Sequence, residues 1–120
     1  MPGALQIGVW NIHGHKHKEL GNKLELNELN TMIRKHDLFG IVETHADESS
    51  DLNIESCRHF VKYRNKSGNR NYGGIALYIN KRIKDGVSYM PNQNQNVIWC
   101  KLNKEHFHTE KDIYLGTQFT

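Results

Sequence analysis

Only two cysteines, Cys57 and Cys100, occur in 120 residues. That excludes a disulfide-stapled scaffold, and both thiols read as buried small hydrophobes. Proline is equally scarce, with two residues against ten glycines. Tight turns in a sheet-containing fold suit that balance better than rigid linkers. No apolar run approaches the ~20 residues that a spanning helix needs. The opening MPGALQIGVW lacks the basic start and the long apolar stretch of a secretory leader, so an intracellular protein without a membrane partner is expected. There is no internal repeat and no low-complexity tract. One sign of charge does not dominate: the net charge is +3 and the isoelectric point is near 8.9. Such a mild excess permits a polyanionic partner without requiring one.

What remains is the composition of a folded chain, 37% hydrophobic and 24% charged. The length fits about one domain, able to bury roughly two thirds of its unfolded surface. Leu5, Ile7 and Val9 alternate with Gln6 and Gly8, which predicts a strand. Asn11 continues that parity at the strand's C-terminal end. The segment NKLELNELNTMIRKHD repeats apolar residues every three or four positions and predicts an amphipathic helix. Asn22 is its expected N-cap, with Glu25 in capping-box position. The run DLFGIVETH predicts a strand buried on both faces.

Strand, helix, strand reads as one crossover with parallel strands, whose C-terminal ends share one sheet edge. Ligands bind beyond that edge in such units. Asn11 and Glu43 should therefore meet, although 32 positions separate them. The chain then turns antiparallel. CRHFVKYRN and YGGIALYIN pair across the Gly/Asn-rich KSGNRN turn. GVSYMPNQNQ reads as a break with room for a short strand, and VIWCKLN pairs with DIYLGTQFT across the charged loop EHFHTEK. Gly73-Gly74 has no following Lys-Ser/Thr, so it reads as a tight strand start rather than a phosphate loop. Trp10 and Trp99 read as core.

Chemistry-bearing residues are few. Glu43, at the end of a buried strand, reads either as a solvated strand-end carboxylate or as a functional group, since a carboxylate oxygen suits a hard cation. Asn11 can orient a carboxylate or phosphate without adding charge. His13, His15 and His17 would share one side of an extended segment. With no Cys or nearby carboxylate to complete a tetrahedral set, they read as a solvated loop or a weak phosphate contact. Lys62, Arg64, Lys66 and Arg70 cluster about the hairpin turn, as a solvated loop or a contact to a DNA backbone.

Four blocks, GVWNIHG, FGIVETH, NYGGIALYI and VIWCKLN leading into DIYLGTQFT, together resemble the N-terminal half of the endonuclease/exonuclease/phosphatase superfamily. The ETH form and the GGIALYI block look most like the endonuclease domains of non-LTR (LINE-type) retrotransposons. The resemblance implies an α/β fold, part of a four-layer helix–sheet–sheet–helix sandwich, with residues 1–120 as the N-terminal part of one domain. On that pattern the chain would hold the first sheet and helix, and the C-terminal half of the domain, a partner in function, would be absent.

The resemblance further implies a divalent cofactor, Mg²⁺ or Mn²⁺, and hydrolysis of a phosphodiester. Glu43 would hold the metal. Asn11 would help place it, and His45 would lie near the phosphate. The chain departs from relatives at His13, where they carry an acid or Asn. It departs again at Phe119, where they carry a Tyr. Relatives supply their Asp-x-Asn motif and terminal general-base His from the second half, so this fragment is expected to be inactive alone.

The full protein would nick DNA, leaving a 3′ hydroxyl to prime reverse transcription in the nucleus, with no small-molecule cofactor. Alternatives of the same lineage are a repair endonuclease or an inositol-phosphate phosphatase. A third is a non-catalytic nucleic-acid-binding module using Arg64, Lys66 and Arg70. Loss of the second half would also uncover Ile75, Leu77 and Ile79, favouring poor solubility or self-association.

Overall fold

A computed structural model of the chain describes residues 4–17, 19, 21–63 and 73–118. The architecture is mixed α/β, with two principal sheets and few helices. Strand β1 (Ile7–Asn11) pairs in parallel with a later strand, Leu38–Val42. Two short strands, β2 (Lys16–His17) and β3 (Gly21–Asn22), form a small antiparallel ladder before the helix.

The helix α1 (Asn27–Lys35) starts later than its expected cap. Asn22 does cap, accepting from the Leu24 N–H at 3.0 Å, but the turn it caps is a 3₁₀ turn over Lys23–Glu25. Leu26 then opens α1 with no side-chain cap. The chain spends one tight turn before the α-helix begins, which a capping pattern alone does not reveal. Ile33 on its apolar stripe is buried, with Leu29 and Met32 partly so.

The crossover closes into β4 (Leu38–Val42), buried at every position. β5 (Cys57–Lys62) and β6 (Ile75–Asn80) complete the first sheet in the order β1-β4-β6-β5. β6 lies antiparallel to both neighbours, with Val42 opposite Ile75 and Leu38 opposite Ile79. One face of this sheet carries Phe39, Ile41, Ala76 and Tyr78, packed with Ile33, Leu24 and the loop residues Leu52 and Ile54. The Tyr78 hydroxyl donates to the Leu52 carbonyl at 2.6 Å, anchoring that loop.

The other face meets a second sheet. β7 (Val87–Met90), β8 (Val97–Leu102) and β9 (Ile113–Gln118) pair antiparallel in that order. Ile98, Cys100, Leu102 and Val87 pack against Leu38, Ile75, Leu77 and Ile79. Ile75, Leu77 and Ile79 are therefore fully buried. The expectation that this face lies uncovered is wrong: the chain carries its own three-stranded cover as well as the first sheet. A Leu/Ile side chain buried this way stabilises by roughly 1.5–3 kcal/mol.

Two further expectations are corrected. The charged loop EHFHTEK holds a short helix, α2 (Lys104–Phe107), because Asn103 caps it by accepting from the Glu105 N–H at 2.8 Å. Trp10 and Trp99 are not core: they are 50% and 41% exposed. Trp10 lies on the outermost strand of its sheet, and Trp99 points away from the sheet interface on β8. The two thiols are buried as expected. Burial pushes the Cys100 thiol up to about 11 and also raises Cys57. Among the described residues no helix is long and apolar enough to cross a membrane.

Candidate functional site

Parallel pairing places Asn11 opposite Val42, so Asn11 and Glu43 emerge at the same end of neighbouring strands. The ladder continues past both strands: the Ile12 N–H donates to the Val42 carbonyl at 3.1 Å and the Gly14 N–H to that of Glu43 at 2.7 Å. His13 sits between the two side chains. Its backbone N–H donates to Asn11 Oδ1 at 3.0 Å, and its ring Nδ1 lies 3.2 Å from Glu43 Oε2. Amide, imidazole and carboxylate thus form one chain across the sheet edge. The Glu43 side chain is 26% exposed and that of His13 77%, so the carboxylate is reachable from solvent.

Three residues here hold left-handed backbone that side chains other than glycine rarely adopt: His13 at φ 52°, Glu43 at 55° and His45 at 51°. Such conformations cost of order 1–3 kcal/mol each and persist where surroundings over-determine them. The surroundings do so from both sides. On one side Gly14 and His15 bond to the carbonyls of Glu43 and Thr44. On the other, the Thr44 and His45 N–H groups donate to the carbonyls of Gly74 and Gly73, at 3.3 and 2.8 Å. Gly74, at φ +90°, admits this contact only because it lacks a side chain; a Cβ there would stand 2.4 Å from Thr44 Oγ1. The Gly73-Gly74 doublet is the tight strand start expected, and it is also half of the clamp.

His45 closes the group. A Cβ on Gly14 would meet the His45 ring at 3.0 Å, so the imidazole lies over Gly14 beside the strand ends. The structure brings Asn11, His13, Glu43 and His45 to one edge. Lys23 and His15 support the edge, and the sequence reading missed both in that capacity. The Lys23 ammonium donates to the carbonyls of Ile12 and His13 at 2.6 and 3.3 Å, fixing the bend after Asn11.

His15 departs most from expectation. It is buried, 5% exposed, rather than solvated beside His13. Its backbone N–H donates to the Thr44 carbonyl at 2.8 Å, and its ring Nδ1 lies 2.9 Å from the same oxygen. Because a carbonyl only accepts, Nδ1 carries the proton. Nε2, the acceptor of that tautomer in a neutral ring, is buried with no hydrogen-bond partner among the described residues. The left-handed turn at His13 and Gly14 breaks the extended run that would have aligned His13 with His15. The side chain of His17 lies outside the described residues.

Among the described residues no three His, Cys, Asp or Glu side chains gather as a metal-binding group. Oxygen donors from Glu43 and Asn11 nevertheless suit a hard cation that keeps most of its waters. Glu43 Oε2 and Asn11 Oδ1 both touch His13, while Glu43 Oε1 has no hydrogen bond among the described residues. An open groove of about 950 Å³ runs from Asn11 and His13 along α1 past Trp10, Leu29 and Met32. Its lining is mainly apolar, so it is no phosphate cradle.

The expected nucleic-acid contacts Arg64, Lys66 and Arg70, and the departure at Phe119, lie outside the described residues. Lys62 is described and is not free. Its ammonium donates to Asn92 Oδ1 at 2.9 Å and to the carbonyls of Asn92 and Asn94 at 3.2 and 2.7 Å. It ties the first sheet to the turn before β8 and has no donor left for phosphate.

A helix-covered sheet packs on a second sheet, and an amide and a carboxylate share one strand edge. Residues 8–115 match the Endonuclease/Exonuclease/phosphatase family. The match spans most of the chain, and the protein belongs to that family. Among curated proteins, none matches the sequence.

Proposed function

We propose that this chain is part of a divalent-metal-dependent phosphodiesterase that nicks DNA, of the kind carried by LINE-type retrotransposons. The observation that supports it most is the Asn11–His13–Glu43 chain at one sheet edge, inside a family match covering residues 8–115. Glu43, with Asn11 beside it, would hold Mg²⁺ or Mn²⁺. That ion supplies charge stabilisation at the phosphate and an acidified water. Asn11 fixes the loop that carries His13. His13 orients the Glu43 carboxylate, and His45 would lie near the phosphate. Arg64, Lys66 and Arg70 would contact the DNA backbone through long-range attraction. A role on chromosomal DNA would place the whole protein in the nucleus.

The same residues would serve a repair endonuclease or an inositol-phosphate phosphatase. The ETH and GGIALYI blocks favour the retrotransposon reading, and a reverse-transcriptase frame downstream in the genomic DNA would support it against those two. We expect the 120-residue polypeptide to turn over negligibly by itself, because relatives draw their general-base His from the second half of the domain. A plasmid-nicking assay in Mg²⁺ tests this. Baseline conversion is expected; robust nicking that disappears in Glu43→Ala would overturn the claim of inactivity while upholding the site.

A further inference from the structure

At the opposite end of the first sheet, where β4 and β5 begin and β6 ends, the strand ends meet the last turn of α1. A pocket of about 420 Å³ opens there, lined by Thr31, Arg34, Lys35, Ser56, Asn80 and Arg82. Three of these six are cations and none is an acid. Lys81 adjoins them in the chain.

The polar groups that could cancel this charge are already engaged. Asp37, buried beside the pocket, accepts from Arg82 Nε and Nη2 at 2.9 and 2.7 Å and from the Gln6 N–H at 2.8 Å. Asn80 donates to the Arg34 carbonyl at 3.2 Å and accepts from the Arg82 N–H at 3.1 Å. That first bond also satisfies one of the carbonyls at the negative end of α1. Arg34, Lys35 and Lys81 have no acidic partner among the described residues. A separate sign of convergence comes from Cys57, the first residue of β5. Burial raises its thiol, and the charges of Arg34, Lys81 and Arg82 act against that rise. Three cations from two distant segments therefore focus on one small volume.

We propose that this pocket is a phosphate-binding site, separate from the Glu43 edge and independent of its function. A guanidinium presents paired N–H donors that match phosphate oxygens, and an ammonium adds a point charge. Arg34 and Lys35 supply these from the helix, Lys81 adds charge from the strand end, and the Ser56 hydroxyl is a further donor. Arg82 is held in place by Asp37 and closes the far wall. The five residues of β4 put this pocket roughly 15 Å from Glu43, so one phosphate cannot occupy both. The opening is wide enough to admit a phosphate group, whether free or part of a nucleic-acid strand.

Two-dimensional NMR of the full chain, titrated with inorganic phosphate at constant ionic strength, tests the assignment. Saturable shifts are expected at the amides of Arg34, Ser56 and Lys81. Arg34→Gln with Lys35→Gln, both exposed positions, should weaken binding at least tenfold. Lys104→Gln with Lys111→Gln, which removes the same charge elsewhere, should leave it unchanged. Arg82 is left intact because its loss would strand a buried carboxylate. Absence of saturation, or equal loss in the two double variants, would overturn the proposal. A short single-stranded oligonucleotide then separates the sources. Competition at the same amides supports a nucleic-acid phosphate, and none supports a small phosphate-bearing molecule.

Discussion

The Thr44 carbonyl accepts twice from His15, from its backbone N–H at 2.8 Å and from its ring Nδ1 at 2.9 Å. Thr44 follows Glu43 directly, so the bond pair fixes where the candidate metal carboxylate leaves the sheet. His15→Ala should cost about 2 kcal/mol, from a lost hydrogen bond and a small cavity. His15→Leu should cost less than about 1 kcal/mol, because it fills the space and removes the unpartnered Nε2. Urea unfolding of the three proteins measures both. A leucine variant as damaged as the alanine one would mean that the Nδ1 bond, not packing, carries the residue's contribution.

Gly74 tests the other half of the clamp. At φ +90° with Thr44 Oγ1 in the way, Gly74→Ala should destabilise by about 3 kcal/mol. Gly21, also at positive φ but with open space around it, should tolerate alanine at about 1 kcal/mol. Thermal unfolding of the pair distinguishes backbone strain alone from strain plus collision.

Burial holds the His59 imidazole below its usual range, with Asp51 pulling weakly upward. The unfolded chain therefore takes up a proton that the folded chain resists. Stability should be complete above the ordinary value of 6.5 and should fall as the pH drops toward the depressed folded value. His59→Phe keeps a ring beside Tyr78 and removes the titration. Urea midpoints at pH 7 and pH 5 should differ less in the variant than in the parent. An identical pH response would assign the effect to other groups.

Much of this arrangement was legible in the sequence, for a physical reason. The continuous run Leu38–Val42 reports burial directly, whereas the alternation of Leu5, Ile7 and Val9 marks a strand whose Ile7 and Val9 are exposed at the sheet edge. Parity and the parallel crossover then carried Asn11 and Glu43 to a common edge. Legibility ended where long-range partners decide the conformation. The left-handed turns at Glu43 and His45 depend on carbonyls of Gly73 and Gly74, about thirty residues away, and that at His13 is held by the bond from the Gly14 N–H to the Glu43 carbonyl. His15 looks like a loop histidine until Thr44 is seen beside it. Asn22 and Asn103 show two faces of capping: one was spent on a preceding 3₁₀ turn, and the other nucleated a helix in a segment that reads as loop.

The central claim is that Glu43 is the carboxylate to which a divalent cation binds. Titration of Mn²⁺ into the 120-residue chain, followed by electron paramagnetic resonance, tests it without any need for turnover. One saturable site is expected, weakened at least tenfold in Glu43→Gln, whose unfolding midpoint should be unchanged, and to a lesser degree in Asn11→Ala. Equal Mn²⁺ affinity in the parent and in Glu43→Gln would contradict the account.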